Sequence, residues 1–96
     1  MSILRVFSIR DVKACSFGSP FFVPTVGVAI RAVVEAGKAR DNNIGLYPAD
    51  HELIEIGLFD SVKGVMTPLD AISHGFVNQL IESVDRTFVL DSEERN

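Results

Sequence analysis

A chain of 96 residues, 47% hydrophobic and 23% charged, has the length and balance of one folded domain with a modest core, which excludes a disordered chain. No stretch reaches the ~18 consecutive apolar residues of a membrane span, and the N-terminus, with Arg5 and Arg10 inside an alternating pattern, lacks the layout of a secretory signal, so a cytoplasmic protein without membrane contact is expected. The formal charge of −4 divides unevenly: residues 1–49 hold six basic and three acidic side chains, residues 50–96 three basic and ten acidic.

The first element, "ILRVFSIRDV", alternates Ile3, Arg5, Phe7 and Ile9 against Leu4, Val6 and Ser8. Its β-branched and aromatic content predicts a strand, and its two apolar faces predict an interior one. "KACSFGSPFFVP" follows, with Gly18, Pro20 and Pro24 close together, and reads as a loop. Thr25 then stands as an N-cap before "VGVAIRAVVEAG", a helix ending near Gly37 whose stripe of Val26, Ile30, Val33 and Val34 faces a core. Arg31, Glu35 and Lys38 lie on its polar side.

After the polar connection "ARDNNIGLYPAD", the stretch "HELIEIGLFD" reads as a half-buried strand. "DSVKG" is a turn and "VMT" a short return strand that Pro68 stops, so residues 52–67 are expected to form a β-hairpin. From about Ser73, Phe76, Leu80, Ile81 and Val84 repeat at helical spacing and predict a second helix. The expected fold is α+β: a small antiparallel sheet in β-α-β-β-α order with helices packed on one face, one domain over residues 1–88 and a polar, frayed tail over 89–96. A sheet of so few strands has two edges to cover, which favours a homo-oligomer.

Enzymatic constellations are thin. Cys15 has no partner for a disulfide or a CxxC site, and His51 and His74 read as exposed histidines at element ends without metal-ligand spacing. No nucleophile elbow or phosphate-binding glycine loop is present. No catalytic residue, metal or cofactor is therefore expected, and the chemistry that remains is binding.

Single-stranded nucleic acid is held by basic side chains on phosphates and aromatic faces on bases. Arg10 and Lys13 end the first strand, Phe17, Phe21 and Phe22 follow in the loop, and Arg31 stands one turn into the helix, whose N-terminus offers free N–H groups to an anion. These six residues are the candidate nucleic-acid-binding set. The competing reading of Phe21 and Phe22 is structural, as plugs of the core or of a dimer interface. For Arg31 it is a solvated helix face.

The stretches "VFSIRDVKACSFGSPFFVPTVGVAIRAV" and "LYPADHELIEIGLFDSVKGVM" resemble the small nonstructural protein of gokushoviruses, the tailless single-stranded DNA phages of the Microviridae. The resemblance rests on Asp11, Lys13 and Ala14, on Pro20-Phe21-Phe22, on Gly27, Ala29 and Arg31, on Tyr47-Pro48 with Asp50, and on Leu53, Ile56, Gly57, Phe59, Asp60 and Gly64, in that order and spacing. It covers residues 5–67. A Thr stands where the family often has an Asn or another polar residue before the helix Gly, and the C-terminal helix with its acidic tail is longer. The resemblance implies a DNA-binding protein of phage genome replication and packaging, working in the cytoplasm of the bacterial host. Beside it stands a protein-interaction module whose acidic second half docks on a phage or host replication protein or a capsid-assembly protein. The overall negative charge favours that alternative, because nucleic-acid binders are commonly basic.

Overall fold

The computed structural model describes the backbone of residues 2–94 and the side chains of residues 2–86. Strand β1 (Ile3–Asp11) is the centre of a five-stranded antiparallel sheet. One of its edges pairs with β4 (His51–Asp60), which pairs in turn with β5 (Val65–Phe76). Its other edge is shared by two short strands, β2 (Ser16–Phe17) and β3 (Phe21–Val23). The expected interior strand is thus present, whereas the Gly/Pro-rich stretch is more than a loop. It turns back on β1 at Asp11, leaves it at Gly18, and rejoins it opposite Phe7, Val6 and Arg5. The Ser8 hydroxyl donates to the Gly18 carbonyl at 2.8 Å, and Gly18 N donates to Ile9 O at 2.9 Å, which pins the excursion to the strand.

Helix α1 (Val26–Lys38) starts as its sequence predicts: Thr25 is extended, and its Oγ1 accepts from Val28 N at 3.2 Å. Its apolar stripe lies on the sheet, where Ala29 and Val33 join Phe7, Leu53 and Val77 in a fully buried core. The connection to β4 holds a one-turn helix, α2 (Asn43–Leu46), capped by Asn42, and a 3-10 turn at Pro48–Asp50. Gly37 is where α1 meets α3 (Val77–Glu94): a Cβ there would lie 2.5 Å from Val77 Cγ1, so only glycine permits this approach.

The second half departs from expectation in two places. Pro68 does not stop the return strand; β5 continues for twelve residues to Phe76. A proline is tolerated because β5 is the edge of the sheet, and the ladder shifts register beside it, between Glu55 and Gly57. The last helix begins at Val77 rather than near Ser73. Residues 73–76 pair with Glu52, Leu53 and Ile54, with His74 as an extra residue and Gly75 at φ 117°. Four side chains at helical spacing beyond Ser73 did not outweigh that pairing. The tail expected over 89–96 lies outside the residues whose side chains are described.

The same irregular ladder houses a buried ionic cluster. Glu55 is 1% exposed, and Arg5 grips its carboxylate with Nε at 2.8 Å and a terminal nitrogen at 2.9 Å. The imidazole of His74 bonds the same carboxylate through Nε2 at 2.9 Å while its ring leans on Phe7. His74, expected as an exposed residue at a helix start, is a half-buried member of the sheet. Burial pushes the Glu55 carboxyl up, but the bonds from Arg5 and His74 and their charges outweigh it and hold the group below its ordinary 4.5. A carboxylate depressed in the folded state adds stability that is whole above the unfolded value and is lost as pH falls through the folded one. Urea midpoints should therefore drop as pH falls below about 4.5, and Glu55→Gln should flatten that part of the curve. Arg5→Met, which strands the buried carboxylate, should cost about 3 kcal/mol at neutral pH.

Candidate nucleic-acid interface

The candidate residues gather, in part, at the end of β1 where the chain turns into β2. Asp11 makes the turn: its Oδ1 accepts from Lys13 N at 3.0 Å and Ala14 N at 3.1 Å, and Cys15 closes the loop at φ 56°. This loop presents Lys13 to solvent and returns Phe17 opposite Arg10 in the ladder. The Arg10 guanidinium lies 5.7 Å from the Phe17 ring centroid, a cation–π contact, while the ring remains 53% exposed. Arg10 Nε is buried and has no hydrogen-bond partner among the described residues. A buried donor left unpaired is uncommon and calls for an acceptor from outside the chain or for strain.

Phe21 and Phe22 part company, as consecutive residues of a strand must. Phe21 stacks on Phe7 at 5.9 Å between centroids and packs against the core. Phe22, 42% exposed, meets Phe59 edge-on at 5.4 Å on the opposite face of the sheet. Arg31 stands apart from all of these on the exposed side of α1, over a shallow depression with Thr25, Gly27 and Val28. The structure thus joins Arg10 with Phe17 directly, places Lys13 on the same turn, turns Phe21 to the core-facing side of the sheet, and leaves Phe22 and Arg31 elsewhere on the surface.

Two adjoining cavities open beside this turn. The first, of about 340 Å³, is lined by Phe17, Phe21, Ile9 and Ile44, with Asp11, His51, Ser16 and Ser19 as its polar groups. The second, of about 300 Å³, holds Lys13, Asn43, Tyr47 and Asp50, and Asp11 and His51 line it too. Tyr47 is 58% exposed. His51, expected as an exposed residue at a strand entrance, is in fact buried at 6% exposure, its Nδ1 within 2.8 Å of Tyr47 O. Sequence reasoning passed over Asp11, Tyr47 and His51. Asp11 and His51 are 40 positions apart, and only the β1–β4 register sets them opposite one another. The nearest signal was Tyr47-Pro48 with Asp50, which marked the segment without marking its role.

These features define a small α+β protein with an aromatic-lined cleft at one end of an antiparallel sheet. The family described as Phage ORF5 protein matches residues 4–83, and the chain belongs to that bacteriophage family. No curated protein and no solved structure matches it.

The division of the phenylalanines is open to measurement. Phe21→Leu should lower stability by about 1 kcal/mol, since it loses a ring contact in a packed site. Phe17→Leu, exposed, should stay within about 0.5 kcal/mol of the parent in a urea titration.

Proposed function

We propose that this chain is a non-enzymatic, largely sequence-tolerant binder of single-stranded DNA that serves phage genome replication and packaging in the bacterial cytoplasm, working as a homo-oligomer without a cofactor. The observation that carries the reading is the pairing of Arg10 with Phe17. A half-exposed ring held under a guanidinium is a stacking surface with a phosphate-binding charge beside it. Lys13 adds a second positive charge on the same turn. Membership in a phage family and the likeness to gokushovirus nonstructural proteins support the same reading. Phe22 and Arg31 belong to it only as outlying contacts for a strand that wraps around the domain.

A second reading has its own observation. Among the described residues no strand pairs with the outer edge of β5, and the hairpin tip exposes Val62, Val65 and Met66, with Asp70 along the strand and Glu82 and Asp85 on α3. Such an edge suits the addition of a strand from a replication or capsid-assembly protein.

A salt-titrated binding assay with oligo-dT and duplex DNA separates the two. On the DNA reading, oligo-dT binds more tightly than duplex. Arg10→Ala or Lys13→Ala should then lower the slope of log affinity against log salt by about 0.7 each. Phe17→Leu should weaken binding by roughly 1–3 kcal/mol and leave the slope nearly unchanged. Binding untouched by all three substitutions would remove the site at this turn, and absence of binding to oligo-dT would favour the protein-docking reading.

A further inference from the structure

The cleft beside Phe17 holds a pair of hydrogen-bond acceptors whose spacing selects among bases. His51 and Asp11 are direct cross-strand partners, with Nε2 and Oδ2 3.8 Å apart. Tyr47 O, at 2.8 Å from Nδ1, is a carbonyl and only accepts, so Nδ1 carries a hydrogen, and in the neutral form of the ring Nε2 is an acceptor. Asp11 Oδ1 is committed to the Lys13 and Ala14 amides, which leaves Oδ2 as the carboxylate oxygen facing the cleft. Two acceptors therefore sit side by side, and at 3.8 Å they do not hydrogen-bond each other.

A ligand that satisfies both must present two adjacent N–H donors. Among the four DNA bases, guanine alone carries such a pair on its Watson–Crick edge, N1–H beside the N2 amino group. Adenine and cytosine place a ring acceptor next to their amino group, and thymine flanks its one N–H with two carbonyls. The lining suits a planar heterocycle, with the Phe21 ring, Ile9 and Ile44 as apolar surface of a cavity of about 340 Å³ that Phe17 also borders. A phosphate is disfavoured in the same space, because Asp11 lines both cavities and Asp50 the second.

We propose that this cleft takes one unstacked guanine of the bound strand, its N1–H and N2 amino group donating to Asp11 Oδ2 and His51 Nε2. The proposal rests on the single-stranded DNA reading and adds to it a preference at one nucleotide, while the remainder of the strand is held by charge and stacking.

The test compares a short oligo-dT with the same oligomer carrying one central dG, dA, dC or dI, by fluorescence anisotropy of an end label at fixed salt. Inosine keeps N1–H and lacks the N2 amino group, so it removes one donor without changing the protein. The dG oligomer should bind at least about fivefold more tightly than the dT, dA and dC oligomers, with dI falling between. Asp11→Asn, which keeps an oxygen to cap the turn and turns the other acceptor into a donor, should abolish the advantage of dG and of dI over dT, dA and dC. Equal affinity for all five oligomers overturns the guanine site and leaves the DNA reading standing. Failure of every oligomer to bind overturns both, and a dG advantage that survives Asp11→Asn assigns the preference to another part of the surface and overturns this one.

Discussion

The carboxylate of Glu55, buried in the middle of the sheet and held by Arg5 and His74, is the constraint on which the rest of the molecule depends. A charged group in that position is tolerable only if its partners stay in place, and those partners come from β1 and β5. The cluster therefore ties three strands at one register. It does so beside the irregularity that separates Gly57, opposite Val6, from Glu55, opposite Phe7. Beyond that point β1 and β4 run in step to their ends, and His51 arrives opposite Asp11. A slip of one residue would put Asp50 or Glu52 there instead, two carboxylates facing each other in place of an acceptor pair.

From the same register follows the division of labour between the sheet's two faces. Phe7, Leu53 and Phe21 point toward α1 and α3, and the core closes over them. Arg10, Phe17 and Phe22 belong to the other face, together with Phe59. The aromatic residues of the Gly/Pro-rich stretch are thus not equivalent. Phe21 stabilises the fold, whereas Phe17 stands where a ligand can reach it. A loop that re-pairs with β1 twice is a firmer support for such a ring than an unpaired segment would be.

Much of the architecture was legible in the chain. The alternation of β1, the Thr25 cap, the α1 stripe and the "DSVKG" turn each rest on local periodicity or local turn chemistry, and each is found. The turn at Asp11 repeats that chemistry: Asp60 Oδ1 accepts from Val62 N and Lys63 N as Asp11 Oδ1 does from Lys13 N and Ala14 N, with Gly64 and Cys15 at positive φ. It escaped notice because a cysteine rather than a glycine holds the left-handed position. The extension of β5 past Pro68 was illegible for another reason. A proline ends a central strand and is tolerated on an edge, and which strand is the edge is a property of the whole sheet. The candidate site was legible in its residue types, Arg10, Lys13 and Phe17, and not in its geometry. His51 and Asp11 are brought together by pairing at long range, and Phe22 and Arg31 are carried to surfaces that proximity in sequence did not reveal.

Amide chemical shifts followed during titration with oligo-dT bearing one dG test whether the turn at the end of β1 and the adjoining cleft form the binding surface. The perturbed amides should fall in residues 10–19 and 43–52, with the hairpin tip at residues 61–66 unmoved. Perturbations confined to the tip, the outer edge of β5 and α3 would contradict it.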